Sequence, residues 1–119
     1  MLKRIFCILT LTMLLCSCAS WDKTDIALES AFFVAHGIDW AQTVKIAKNP
    51  DKWHENNPIL GNHPKVSEVN LVMGAMAIIQ PVIAHLLPSP YRKSWIIGTT
   101  AVKVGCVINN LAVGIGWGF

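Results

Sequence analysis

Charged residues are scarce in this chain of 119 residues. Asp, Glu, Lys and Arg make up 14% of it, against roughly 25% in soluble domains, whereas 53% of the residues are hydrophobic. A soluble protein of this size has a large surface relative to its volume, and so few charges would cover that surface poorly. The length allows a single domain, and we expect lipid to surround much of it.

Cysteine pairs and clusters of basic residues are also lacking, which excludes several classes of protein. Cys7, Cys16 and Cys18 lie near the N-terminus, and Cys106 stands alone after them. This pattern predicts no disulfide framework and holds no CxxC pair for zinc. The lysines are scattered and are not interleaved with the tryptophans, so we predict no nucleic-acid-binding surface. No serine has a base at a spacing that supports a nucleophilic triad.

Residues 1–18 have the order of parts typical of a bacterial lipoprotein signal peptide. A basic pair, Lys3 and Arg4, precedes an apolar run over residues 5–15, and Leu15-Cys16-Ser17-Cys18 resembles the lipobox. We therefore expect cleavage before Cys18. We also expect this cysteine to be lipidated, with palmitate among the attached acyl chains. An uncleaved membrane anchor is the alternative, although the apolar run is short beside the roughly 20 residues that a span needs.

Residues 19–119 are predicted to form a single helical membrane domain with one long loop. Residues 26–47 contain no proline, and polar residues spaced by three or four share one face of the predicted helix. Residues 48–65 hold three prolines and a Gly-Asn pair, which indicates a loop. Helices are predicted over residues 66–87 and 94–116, both apolar and long enough to span the bilayer. The fold class is all-α, a small membrane bundle of two or three helices.

The number of membrane spans is open between two and three. If residues 26–47 lie on the membrane surface, the chain crosses twice and the predicted hairpin at residues 88–93 is cytoplasmic, as the positive-inside rule prefers. If they span, the lysine-containing 48–65 loop is cytoplasmic and the hairpin faces outward, and the lysine count slightly favours this arrangement. A third span is opposed by the acidic residues of this segment, because an Asp near the middle of a spanning helix costs about 3 kcal/mol of insertion free energy. Spanning helices favour the inner over the outer membrane of the bacterial cell envelope.

Two motifs resemble a family of small bacterial and phage membrane proteins that begin like lipoproteins. The motifs are Asp-Trp-Ala-Gln-Thr at residues 39–43 and Asn-Pro-Ile-Leu-Gly-Asn-His-Pro at residues 57–64. The resemblance covers residues 25–119 and implies an architecture but no activity. A phage or prophage origin would fit an envelope-modifying role by analogy. The family pattern falls on Asp39, Gln42, Thr43, Glu55, Asn57, Pro58, Gly61 and His63.

A candidate polar site follows from the same motifs. Its members are His36, Asp39, Gln42, Thr43, Glu55, Asn57 and His63. Imidazole and carboxylate groups are competent ligands for zinc or another divalent metal, so His36, Asp39, Glu55 and His63 are candidate metal ligands. The alternative, which we prefer, is a buried network in which Asp39 accepts hydrogen bonds that fasten the loop to the first helix. No cofactor is predicted.

Three functional classes remain at this point. We prefer a lipid-anchored, non-enzymatic envelope protein that contacts the bilayer and other envelope proteins or itself. The second class is a small membrane enzyme or metal-binding protein built on the candidate ligands above. The third is an oligomeric channel-like component lined by Lys103, Asn109 and Asn110. Lys103 could pair with Glu29 or Asp39 inside the bundle, or its long side chain could reach toward an interface.

Overall fold

The computed structural model describes residues 21–119, and these fold into three α-helices with no strand. The helices are α1 (Lys23–Lys48), α2 (Val66–Leu86) and α3 (Ser89–Ala112). The all-α prediction is confirmed for this part of the chain. Helix α1 packs against both other helices, while α2 and α3 contact each other least. The predicted signal peptide and the lipidation site at Cys18 lie outside the described residues.

Helix α1 begins three residues before the predicted start because Asp22 caps it. The Asp22 carboxylate accepts a hydrogen bond from the backbone N–H of Asp25 (2.8 Å), and the Asp25 carboxylate accepts one from the N–H of Asp22 (3.1 Å). This reciprocal arrangement satisfies backbone donors that the first turn leaves free. At the other end, the Asn49 amide donates to the Lys45 carbonyl oxygen (2.8 Å).

Only Leu87 and Pro88 connect α2 to α3, so the turn is shorter than the predicted hairpin. Helix α3 begins at Ser89 and not at residue 94, with Pro90 in its first turn. Proline is favoured there because that turn has no use for its missing N–H. Arg92 and Lys93 consequently belong to α3 and contact α1, whereas the sequence had placed them in an exposed connection.

The chain after α3 turns back against α1. Gly114, Gly116 and Gly118 all have positive φ angles, 87°, 75° and 92°, a conformation that favours glycine. Gly114 and Gly118 have the spacing of a helix-packing GxxxG pair, but both lie beyond the end of α3 at Ala112. Gly118 still makes a close approach, since a Cβ there would lie 2.6 Å from the backbone carbon of Ala41.

The helices bury polar side chains and expose apolar ones. The buried face of α1 carries Asp25, Glu29, His36, Asp39, Gln42 and Thr43. Outward positions include Val34 on α1 (66% exposed), Leu71 on α2 (74%) and Val102 on α3 (66%). A helix in a water-soluble bundle has the opposite distribution. Helices α2 and α3 are long and apolar enough to cross a membrane.

Candidate functional site

A cluster around Arg92 closes one end of the bundle. The guanidinium donates to the Asp25 carboxylate (3.2 Å), to the Ala84 carbonyl oxygen (2.8 Å) and to the Leu87 carbonyl oxygen (2.8 Å). Its carbon lies 5.0 Å from the centre of the Trp21 ring, within the range of a cation–π contact. Both members of the Asp25–Arg92 pair are completely buried. The cluster therefore joins all three helices at this end.

Lys93 extends this cluster to the surface. Its ammonium lies 2.8 Å from a carboxylate oxygen of Asp22 and 2.8 Å from one of Asp25. The hydrogen bond from Lys93 lowers the pKa of the exposed Asp22 carboxyl group below its ordinary value of 3.8. Asp25 thus has two cationic partners, one buried and one half-exposed.

Gln80 forms the next polar link along the bundle. Its amide donates to the Thr99 hydroxyl (3.0 Å) and, at 3.4 Å, to one carboxylate oxygen of Glu29. Oε1 of Glu29 and Oε1 of Gln80 are both buried and have no hydrogen-bond partner among the described residues. Trp95 donates to the Gln80 carbonyl oxygen (3.1 Å), which fixes α3 to α2 at the same level.

A second buried ion pair joins α1 to α3 near the middle of the bundle. The Lys103 ammonium lies 2.8 Å from Asp39 and 3.8 Å from the sulfur atoms of both Met73 and Met76. Of the pairings considered from the sequence, Lys103 takes Asp39. One turn earlier, His36 Nε2 donates to the Met73 carbonyl oxygen (2.9 Å), which ties α1 to α2.

Gln42 fastens the C-terminal segment to α1. Its amide nitrogen donates to the Gly116 carbonyl oxygen (2.7 Å), and its amide oxygen accepts a hydrogen bond from Asn110 (3.0 Å). Lys45 donates to the neighbouring Ile115 carbonyl oxygen (2.7 Å). Thr43, by contrast, bonds within its own helix, donating to the Asp39 carbonyl oxygen (2.7 Å).

The loop between α1 and α2 is organised around Glu55. One carboxylate oxygen, Oε1, accepts hydrogen bonds from the backbone N–H groups of Asn56 and Asn57 (both 3.0 Å). The Glu55 N–H donates to the Asn62 carbonyl oxygen (2.8 Å), which closes the loop on itself. The other carboxylate oxygen, Oε2, is buried and has no hydrogen-bond partner in the described part of the chain.

Two adjoining cavities lie between the helices and this loop. The first, which we call the groove, has a volume of about 540 Å³ and lies between α2 and α3, with side chains of α1 beneath it. Its walls are mostly apolar, but Asp39, Lys103 and Gln80 reach it, and residues 55–59 line its loop end. The second, polar cavity has about 450 Å³. It is lined by Lys52, Trp53, His54, Asn56, Asn109, Asn110, Val113 and Ile115.

The predicted site residues divide into two groups. Asp39, Glu55 and Asn57 line the groove, whereas His36, Gln42 and Thr43 bond to helices or to the C-terminal segment. His63 is exposed on the loop. Within residues 21–119, no group of three or more His, Cys, Asp or Glu side chains is arranged to hold a metal ion. The Asp39 side chain binds Lys103 rather than the loop.

Sequence reasoning missed the role of Arg92. The spacing of charged residues could have indicated this role. Asp25 and Asp39 are about four helical turns apart, and Arg92 and Lys103 are about three. Two acids on one helix and two bases on another could therefore have been matched as a pair of ion pairs. For Gln80, an amide within an apolar helix, the sequence predicts an interhelical hydrogen bond, and the structure identifies its partners as Thr99 and Glu29.

Comparison of the chain with protein-family models, curated proteins and solved structures gives no match. The functional proposal therefore depends on the geometry of the described residues.

Proposed function

We propose that this chain is a membrane-embedded helical protein of the bacterial envelope, in which all three helices cross the bilayer. One observation carries the proposal: from Thr24 to Val44 every charged side chain of α1 is buried, and none is exposed. This stretch is about 31 Å long at 1.5 Å per residue, close to the roughly 30 Å hydrocarbon core. Helix α1 can thus present an uncharged surface to lipid although its sequence contains acidic residues.

The buried ion pairs remove the main objection to a third span. Charged side chains inside a membrane are found where they pair with one another or face a protein interior. Asp25 is paired with Arg92, and Asp39 with Lys103. Glu29 faces Gln80 inside the bundle. The insertion cost that opposed a third span applies to an isolated helix and is reduced when α1 packs against α2 and α3.

The lysines favour one orientation of this bundle. Lys48, Lys52 and Lys65 belong to or flank the loop between α1 and α2, and such residues are enriched on the cytoplasmic side. The α2–α3 connection would then face outward, together with Trp21. A lipid-anchored Cys18 would lie on that same outer side, as the proposed lipoprotein processing requires.

Single-cysteine labelling tests this orientation and the number of spans. We expect Tyr91→Cys to react with a membrane-impermeant maleimide in intact cells, and Asp51→Cys only after permeabilisation, both in a Cys106→Ala background. Both positions are exposed. The reverse pattern would indicate two spans with α1 on the outer surface. Release of the chain from membranes by alkaline carbonate would contradict embedding altogether, and retention of labelled palmitate in Cys18→Ala would contradict the anchor.

The proposed mode of action is contact with other membrane components rather than catalysis. His36, Asp39 and Lys103 are engaged in contacts between helices, and the groove is the concave surface that remains available to another membrane component, whether protein or lipid. A photo-crosslinking residue at Val102, which lines the groove, should give a discrete adduct in native membranes. The same residue at Val104, which is exposed but lies outside the groove, is the matched control. Equal crosslinking from both positions would contradict a specific contact.

A further inference from the structure

We propose that the groove and the adjoining polar cavity together hold one phospholipid with a primary-amine headgroup, of the phosphatidylethanolamine type. An acyl chain would lie between α2 and α3, and the headgroup would lie against the loop between α1 and α2. The proposal rests on the membrane placement proposed above. Its basis is that an apolar and a polar cavity adjoin, and that two charges complementary to a zwitterionic headgroup line them: Glu55 the groove and Lys52 the polar cavity.

The groove has the size and lining of a site for one flexible apolar chain. Its volume of about 540 Å³ lies within the usual range of ligand sites, roughly 300–1,000 Å³. Met76, Ile79 and Ile83 of α2 face Val102 of α3 across it. A transmembrane helix about 10 Å across and 30 Å long would need several times this volume. A second copy of the chain, or a helix of another protein, is therefore a poorer match than an acyl chain.

The polar cavity continues from the loop end of the groove. Asn56, Asn109 and Asn110 line both cavities. Beyond them, Lys52 and His54 line only the polar one. An ammonium group and amide N–H groups are suitable donors to a phosphate. An occupant that fills both cavities must therefore be amphiphilic, with a phosphate close to its apolar part.

Glu55 distinguishes among phospholipid headgroups. Its Oε1 is already engaged by two backbone N–H groups, while the buried Oε2 has no hydrogen-bond donor among the described residues. Leaving a buried carboxylate oxygen without a donor is costly, and a primary ammonium would supply one. A quaternary choline headgroup has no N–H to donate, and a glycerol headgroup has no positive charge. The Glu55 carboxylate in the groove and the Lys52 ammonium in the adjoining cavity thus match the two charges of an amine-bearing zwitterion.

Native mass spectrometry of the full chain in nanodiscs tests the proposal. The nanodiscs contain equal amounts of phosphatidylethanolamine and phosphatidylcholine with identical acyl chains. We expect one retained phosphatidylethanolamine per chain, favoured about tenfold over phosphatidylcholine, as a charge-assisted hydrogen bond supports. Glu55→Gln should bring the ratio near one, whereas Asp51→Asn, which neutralises an exposed loop carboxylate outside both cavities, should leave it unchanged.

A second pair of variants tests the position of the acyl chain independently of Glu55. Val102→Trp should abolish retention of both lipids by filling the groove, and Val104→Trp on the same helix should not. Equal retention of the two lipids by the unaltered protein would overturn the proposal. So would a preference that persists in Glu55→Gln, or a second copy of the chain retained in place of lipid. The cysteine-labelling pattern decides membrane placement separately, so failure of the two proposals can be distinguished.

Discussion

Two buried ion pairs join α1 to α3, and their surroundings differ. Asp25–Arg92 is completely buried, and the guanidinium is also bonded to two carbonyl oxygens at the end of α2. In Asp39–Lys103, the lysine side chain is 10% exposed and the aspartate 6%, and both residues line the groove. The same kind of charge pair therefore fastens helices at one place and forms part of a cavity wall at the other.

The difference follows from the chemistry of the two cations. Arginine has a planar, rigid set of donors that can bond a carboxylate and backbone carbonyls together, whereas lysine is a compact charge on a flexible chain. Arg92 thus holds three elements in one geometry, while Lys103 contacts Asp39 and two soft methionine sulfurs. We infer that the Arg92 end sets the packing of the bundle and that the Lys103 region tolerates an occupant.

Loss of Arg92 should have the largest effect on stability. Arg92→Leu should lower the free energy of unfolding by about 4–5 kcal/mol, because it leaves Asp25 with only Lys93 and removes donors from the carbonyl oxygens of Ala84 and Leu87. Denaturant unfolding in detergent micelles measures this. Arg92→Lys keeps the charge without the geometry and should lose an intermediate amount. A Lys variant as stable as the original would show that charge alone suffices at this end.

Loss of Lys103 should have a smaller effect that a second substitution repairs. Lys103→Met should cost about 3 kcal/mol by leaving Asp39 buried without its partner, at the lower end of the range because the groove allows relaxation. The double variant Asp39→Leu/Lys103→Met should recover to within about 1 kcal/mol of the original, since an apolar pair replaces the ion pair. The same unfolding assay applies. A double variant no more stable than the single one would contradict a purely pairwise role.

The exposed contact between Asp22 and Lys93 should have the smallest effect, and one that depends on pH. Asp22→Asn keeps a side chain that can cap α1 but removes the charge. Because Lys93 lowers the pKa of Asp22 below 3.8, the contact stabilises the fold above that pH and is lost as the pH falls through the lowered value. The difference between variant and original should thus be slight near neutral pH and vanish in acid. A difference that grows in acid would reverse the assignment.

Much of the helical framework could be predicted from particular residues. The prolines of residues 48–65 interrupt the apolar pattern and separate α1 from α2, and the polar residues of α1 recur on one face as a helix requires. The ends of the helices were harder to predict from the sequence. Asp22 caps α1 through a reciprocal contact with Asp25, and Pro90 opens α3 instead of preceding it. Both depend on local geometry that several nearby residues could equally have supplied.

The candidate site could be predicted only in part, for a different reason. The motifs indicated Asp39, Glu55 and Asn57, which do line one cavity, but they also grouped these with His36 and His63, which do not share it. Helical spacing identifies which residues share a face of one helix, but not which residue of another helix lies opposite. The partners Arg92 and Gln80 come from helices whose relative rotation is set by packing.

The sequence alone determined the helical character of this protein, its scarcity of charge and the two segments long enough to cross a membrane, because composition and periodicity are local properties. Only the tertiary structure decided that Asp25, Glu29 and Asp39 of α1 face inward and that the two aspartates pair with basic residues of α3. It also decided that Glu55 of the loop lines the groove, while its neighbours His54 and Asn56 line the polar cavity. Contacts between residues distant in the chain depend on how whole helices pack, and periodicity carries no information about that.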